Sequence, residues 1–246
     1  MSVFGAYALY YDLLYQDKDY VGETAYISSL IHKFSSDTSS LLDIGCGTGR
    51  HVELFSQMGL RVSGLDRSKD MISRAKQRNP DIDFYRGDLC KVRLGKKFDV
   101  VSALFHVVSY LTTEDELQLA FTNIREHLNP GGLFVFDCWH GPAVLHQIPE
   151  VRIKRLQEGA SQVVRIAEPD LIAENNTVDV NYQIFVKENG VWAEFTETHS
   201  MRYLFQQEID ELLSSSGLHL LHSEEWMTGR EPGQKTWSVV YVAGTK

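Results

Sequence analysis

The chain has 246 residues, 43% of them hydrophobic and 23% charged, the balance of a globular protein long enough to bury a substantial core. Its net charge of −9, with acids and bases interspersed, would repel a phosphate backbone and disfavours nucleic acid as a partner. No basic stretch precedes an apolar run at the N-terminus, and no window reaches the ~18 apolar residues of a membrane span, so a membrane-free, cytoplasmic protein is expected.

Residues 2–34 read as helical, with tyrosines at 7, 10, 11, 15 and 20 and an amphipathic stretch over 20–34. The polar run Ser-Ser-Asp-Thr-Ser-Ser at 35–40 reads as a loop. Strands are then expected near 41–45, 61–65, 82–86, 98–104 and 132–138, alternating with helices near 48–58, 68–78 and 113–128. Thr113 and Glu116 have the spacing of a capping box, and Leu117, Ala120, Phe121, Ile124 and Leu128 make the apolar stripe behind it. The alternation implies an α/β, doubly wound parallel sheet. Between about 150 and 205 the hydrophobic period changes from 3.6 to 2, and Asn189-Gly190 is a tight-hairpin signal, so an antiparallel sheet is inserted there. A helix near 207–215 and strands near 218–226 and 236–243 follow. The domains expected are an N-terminal helical lid over 1–39, a core over 40–149 and 206–246, and an inserted β-region over 150–205. That insert is expected to cover the active site, to pair two copies as a homodimer through its exposed edge, or both.

The run Leu-Leu-Asp-Ile-Gly-Cys-Gly-Thr-Gly-Arg at 41–50 carries the clearest chemistry. A buried strand ends beside Asp43, and Gly45, Gly47 and Gly49 let the backbone turn tightly against a ligand. The following helix aims its free N–H groups at that ligand, so a nucleotide-like cofactor should sit over the turn. The three cysteines, Cys46, Cys90 and Cys138, lack Cys-x-x-Cys spacing and read as reduced thiols, with neither a metal site nor a disulfide framework. A dinucleotide fingerprint would need a glycine at position 50, which is Arg50, and a P-loop would need a Gly-Lys-Ser/Thr end, which is absent.

The G-x-G-x-G spacing after Asp43 resembles the first motif of the class I S-adenosylmethionine (SAM) methyltransferases. Further positions agree in order: Asp66 ending a second strand, Asp88-Leu89 ending a third, Leu104 ending a fourth, and Asn-Pro-Gly-Gly at 129–132 entering a fifth. The resemblance implies a Rossmann-like seven-stranded methyltransferase sheet. It also implies SAM held by Asp43, Gly45, Cys46, Gly47, Gly49 and Arg67, with Asp66 at the ribose, Asp88 and Leu89 at the adenine, and Leu104 along the methionine arm. Outside these motifs, the segment at 10–23, the residues Lys97, Phe98, Val101, Leu104, Phe105, Tyr110 and Leu111, Trp139, and Gly229-Arg230 resemble the dTDP-aminosugar N-methyltransferases, including N,N-dimethyltransferases. By that resemblance Tyr11 and Lys18 touch the cofactor from the lid, while Glu23, Tyr110, Trp139 and Arg230 face a nucleotide-sugar acceptor. The chain departs from those enzymes at Val3 and Phe4, where they carry a tyrosine, and at Tyr110, where some carry a histidine.

Methyl transfer from a sulfonium is an in-line displacement in which alignment is the main contribution, worth up to ~7 to 11 kcal/mol. His106, Tyr110 and His140 follow strand ends, where ligands bind in open α/β sheets, and are the candidate catalytic groups. An amine needs only a free lone pair, so replacing any of the three should then cost orientation alone. A sugar hydroxyl needs a general base. N-methylation of an aminosugar nucleotide is the reading expected, with O-methylation of a sugar or other small molecule, a SAM-binding protein without turnover, and a nicotinamide-dependent oxidoreductase as alternatives.

Overall fold

The computed structural model describes residues 7–159, 161–188 and 190–245. Five apolar runs pair in parallel as β1 (Ser40–Ile44), β2 (Arg61–Asp66), β3 (Asp83–Arg86), β4 (Phe98–Ala103) and β5 (Leu128–His140). β10 (Leu218–Glu225) and β11 (Ser238–Thr245) close the sheet as an antiparallel pair, with β11 against β5. The lateral order is thus β3-β2-β1-β4-β5-β11-β10, the Rossmann-like sheet expected. The chain reverses its winding direction between β1 and β4, and in such sheets ligands bind beyond the strand C-termini at that switch point.

Helices α3 (Arg50–Gln57), α4 (Lys69–Arg78) and α5 (Glu114–Glu126) connect these strands. α5 starts where the capping box places it: Thr113 Oγ1 accepts the Glu116 amide at 3.2 Å, and Glu116 Oε2 accepts the Thr113 amide at 3.2 Å. Its Phe121 packs edge-on against Phe134 and Phe136 of β5, all three fully buried. Each such side chain contributes about 1.5 to 3 kcal/mol by leaving water.

Four expectations differ in detail. The helical stretch over 2–34 breaks into α1 (Tyr7–Leu14) and α2 (Tyr20–Phe34), because Asp19 caps α2 by accepting the Gly22 amide at 2.8 Å. Residues 1–6, Val3 and Phe4 among them, lie outside the described residues. α3 begins at Arg50 rather than near 48, since Gly49 at φ 80° is still in the left-handed region. β5 runs from Leu128 through His140, longer than expected at both ends, and a short helix, α6 (Gly141–His146), follows it with Pro142 in its first turn.

The period-2 stretch folds as β6 (Arg152–Glu158), β7 (Ser161–Ile172), β8 (Thr177–Glu188) and β9 (Val191–Leu204), antiparallel throughout. Glu188 pairs with Val191 across the hairpin, whose Asn189 lies outside the described residues. This sheet joins the core through a short parallel contact, Trp139 with Tyr203 and His140 with Leu204. β4 has ended by then, its last pair being Ala103 with Phe136. The end of β5 therefore passes from β4 to β9 and leaves a gap beside Asp137. α7 (Gln206–Ser215) leads from β9 back to β10. No helix among the described residues is long and apolar enough to cross a membrane.

Candidate functional site

Two cavities open at the C-terminal ends of the parallel strands. The smaller, about 110 Å³, lies between the ends of β2 and β3 and is lined by Asp66, Arg67, Asp88, Leu89, Tyr110 and Leu111 among others. The larger, about 570 Å³, lies between the glycine loop, the loop after β4 and the inserted sheet.

The glycine loop is shaped by close packing. At Gly45, φ 65°, the Val107 side chain occupies the space a Cβ would need. A Cβ at Gly49 would stand 3.2 Å from Ala75, Asn79 and Phe84, so this glycine brings α3 against α4 and β3. The Tyr11 ring lies over Gly47. Asp43, fully buried in β1, accepts the Ser102 hydroxyl at 2.7 Å, and burial pushes its carboxyl up to about 6 despite the nearby His51 and that hydrogen bond.

Asp66 lines both cavities. Its two oxygens accept the Gly47 amide at 2.9 Å and the Ser68 amide at 2.7 Å, which locks the carboxylate between the loop and the start of α4. Burial raises its pKa and those two amides pull it partway back. A buried carboxylate with lone pairs to spare fits a vicinal diol, which offers two donors. Asp88 is half exposed, accepts the Cys90 amide at 2.9 Å, and sits beside Leu89 in the small pocket, a polar edge next to an apolar wall. These residues suit a nucleoside, and Leu104 with Tyr11 walls the neighbouring cavity where an attached chain would run.

Other candidates are engaged elsewhere. Lys18 pairs with Glu23, and Glu23 also meets His51 Nε2 at 3.0 Å, so both groups form a partly buried ion-pair cluster behind the cavity rather than its lining. Lys18 Nζ lies 4.5 Å from the centre of the Phe105 ring. Arg230 is 71% exposed on the turn before β11 and pairs with Glu225, away from the cavity. His140 is buried; its Nδ1 donates to the Thr236 carbonyl at 3.1 Å, burial lowers its pKa, and it too lies outside the lining. Tyr110 and Trp139 do line the large cavity. Tyr110 Oη is 3.0 Å from His199 Nδ1, and His199 Nε2 is 3.3 Å from Glu197, so its hydroxyl is oriented from the inserted sheet.

His106 lines the large cavity in an arrangement the sequence does not foretell. Phe105 and His106 adopt φ 66° and 63°, left-handed values costly for side chains of this size. The buried Asp137 carboxylate holds the turn by accepting the His106 amide at 3.2 and 3.3 Å. The same carboxylate lies 2.7 Å from His106 Nδ1, an ion-pair contact too bent to count as a hydrogen bond. Burial alone would raise the Asp137 pKa, but the His106 ring and amide, with help from Lys18, hold it below the usual range. Asp137 ends the run at 129–137 by which the fifth strand is recognised, yet only tertiary pairing gives it a partner. The cavity's outer wall includes Glu150, Arg152, Arg165 and Tyr182 from in and around the inserted sheet, for which the alternating pattern carries no signal.

Comparison with known proteins agrees with this geometry. A family profile described as "Methyltransferase domain" matches residues 41–132. The chain is 32% identical over 222 residues to the dTDP-3-amino-3,4,6-trideoxy-alpha-D-glucopyranose N,N-dimethyltransferase of Streptomyces venezuelae, covering 89% of this chain and 93% of that one. The crystal structure of Streptomyces venezuelae DesVI superimposes with a TM-score of 0.84 at 30% identity, covering 98% of both chains. SAM-bound CalS10, an amino pentose methyltransferase from Micromonospora echinaspora, superimposes with a TM-score of 0.80 at 26% identity, covering 99% of this chain and 98% of that one.

Proposed function

The chain belongs to the S-adenosylmethionine-dependent methyltransferases, and from that premise we propose that it methylates the amine of a nucleotide-linked aminosugar. The observation that carries the reading is whole-length similarity: 32% identity to an aminosugar N,N-dimethyltransferase over 89% of the chain takes in the inserted sheet that walls the cavity, and not only the cofactor fold. Arg152 and Arg165 on that wall supply the cationic, planar groups that suit a phosphate-bearing acceptor.

In this reading Asp66 takes the ribose hydroxyls, Asp88 the adenine amine, and Leu89 with Leu111 the ring faces. Asp43 and the glycine loop meet the methionine end, and Leu104 and Tyr11 flank it. SAM supplies an electrophilic methyl group on a sulfonium. The protein's task is to hold an amine lone pair in line with that methyl in a cavity closed by α1 and the inserted sheet, where alignment lowers the barrier. Tyr110 and Trp139 border the acceptor space. The enzyme works in the cytoplasm, in keeping with three free cysteines, and a second copy along the outer edge strand β6 is the partner that edge invites.

A turnover panel of dTDP- and UDP-linked aminosugars, the matching hydroxyl sugars and small free amines, read by S-adenosylhomocysteine release and product mass, tests the acceptor. Mono- and dimethylated aminosugar nucleotides are expected. Turnover confined to hydroxyl sugars would reject nitrogen as the acceptor atom.

A further inference from the structure

We propose that His106, aimed by Asp137, is the group that removes the proton from the acceptor's ammonium and so makes its lone pair available for methylation. The inference rests on the amine reading above and departs from the expectation that an amine acceptor asks only orientation of His106.

Three observations meet at this position. The first is strain. Two consecutive non-glycine residues, Phe105 and His106, hold positive φ just after β4, a conformation that histidine adopts more readily than most but that is costly for phenylalanine. Such strain persists only where the surroundings over-determine it, and it clusters at functional sites. The second is the device that holds it. Asp137, 1% exposed, grips the His106 amide with both oxygens and faces the ring nitrogen Nδ1 at 2.7 Å, while Ser238 Oγ donates to the same carboxylate at 3.3 Å. Although the contact is too bent for a hydrogen bond, the negative charge 2.7 Å from Nδ1 favours a proton on that nitrogen over a lone pair facing the carboxylate, which leaves the lone pair on Nε2, across the ring. The third is location. β4 has stopped and β9 has not yet joined β5 at this level, so the pair sits at the gap where the large cavity opens, and the His106 side chain is 23% exposed. Purely structural histidines in this chain look different: His140 is buried, bonded to a carbonyl and outside the cavity lining.

The chemistry gains from such a group when the amine arrives protonated. A sugar amine, like an α-amino group with a pKa near about 8, is mostly protonated at neutral pH and then has no lone pair to give. His106 Nε2 takes one proton from the ammonium. The freed lone pair forms the N–C bond as the methyl's C–S bond breaks, the bonding electrons go to sulfur, and the sulfonium becomes a neutral thioether. The product is a methylammonium. Once His106 has passed its proton to solvent it can accept the next one, which readies the nitrogen for a second methyl. The charged and titratable groups facing this space are Asp137 on β5, Lys18 behind the Phe105 ring, Asp43, Cys46, Arg50, His51 and Asp66 on the glycine-loop side, and Glu150, Arg152, Arg165, Tyr11, Tyr15, Tyr20, Tyr110 and Tyr182 elsewhere in the cavity lining. Among these Asp137 is the one within ion-pair distance of the ring.

The test is the pH–rate profile of His106→Asn and Asp137→Asn on an aminosugar nucleotide that the wild-type enzyme methylates. Asparagine tolerates left-handed φ better than most residues, and Asp137→Asn keeps an oxygen for the His106 amide, so both variants should fold. For His106→Asn, kcat should fall by roughly tenfold at pH 7, the scarcity of free base for an amine of pKa near about 8, and recover as the pH rises and solvent deprotonates the amine unaided. In cofactor-free protein, imidazole ¹⁵N spectra should show His106 protonated on Nδ1 and bare on Nε2, with Asp137→Asn losing that preference. A His106→Asn profile parallel to wild type, or a ring protonated on Nε2, overturns the proposal while leaving the amine acceptor intact. Wild-type enzyme that methylates no amine overturns both. A hydroxyl acceptor with His106→Asn inactive at every pH replaces the ammonium by a hydroxyl and also overturns the proposal as stated.

Discussion

Asp43 shows what one buried carboxyl does at this site. It is fully enclosed, its hydrogen bond is to the neutral Ser102 hydroxyl, and burial raises its pKa to about 6 from 3.8. The sign is unfavourable for the empty protein: the folded state holds this proton more tightly than the unfolded chain. Stability attributable to Asp43 is therefore full below about pH 4 and is lost as the pH rises through about 6. A cationic amino group at the methionine end of the cofactor reverses that balance by favouring the carboxylate. SAM affinity should thus fall by roughly tenfold for each pH unit below about 6, with proton release on binding. Calorimetric titrations at pH 5 and 7.5 would measure it. Equal affinity at the two pH values, or a pH dependence that persists in Asp43→Asn, would remove Asp43 from the cofactor's charge partners.

Among the elements, α1 is fastened to the cofactor loop by a charge cluster. Asp12 accepts the Thr48 hydroxyl at 2.7 Å, Arg50 Nε at 3.2 Å and Arg78 Nη2 at 2.7 Å, and Arg78 Nη1 returns to the Thr48 carbonyl at 3.1 Å. Burial works against the Asp12 charge, but these donors hold its pKa below the usual range. Single exposed pairs are worth little, whereas a part-buried network on one carboxylate is worth more. Asp12→Asn should loosen α1, weakening SAM binding by ~1 to 2 kcal/mol, or roughly 5- to 30-fold, and speeding hydrogen exchange of the α1 amides. Unchanged exchange would show that the cluster does not hold the helix. This latch also marks where sequence reading stops. The glycine loop, the Thr113–Glu116 capping box and the period-2 strands are legible because each rests on chemistry within a few residues. The partners of Asp12 lie 36 to 66 positions away, and the His51 partner of Glu23 and the His106 partner of Asp137 likewise come from other elements. Which of His106 and His140 opens to the cavity depends on where β9 joins β5, a tertiary fact with no local signature. Arg230 shows the converse: a family-like dipeptide, Gly229-Arg230, stands on an exposed turn with Glu225.

For the whole molecule, a parallel core and an antiparallel insert are joined, among the described residues, by a single strand pairing of two residue pairs, so something else must make them behave as one body. An apolar seam contributes, with Val144 from α6, Val178 and Val180 from β8, and Met201 and Tyr203 from β9 packed against Trp139 and Trp237. Arg202 crosses that seam. Its side chain is 8% exposed, it donates to Glu208 in the first turn of α7 at 3.1 and 2.7 Å, and its third donor reaches the Thr112 carbonyl ahead of α5 at 3.0 Å. One guanidinium thereby ties the insert to two core helices, and the fork suits it better than a lysine's point charge would. A buried ion pair adds little over an apolar pair of equal volume, but breaking one partner strands the other charge at a cost of about 3 to 5 kcal/mol. In a chain of this size each kcal/mol moves the midpoint by about 2 to 4 °C. Arg202→Ala should therefore lower Tm by roughly 6 to 20 °C in differential scanning calorimetry. Arg202→Met combined with Glu208→Leu should regain most of that loss, because the stranded carboxylate is gone and the volume is refilled. An Arg202→Ala midpoint within a degree of wild type would mean that the apolar seam alone couples the two sheets.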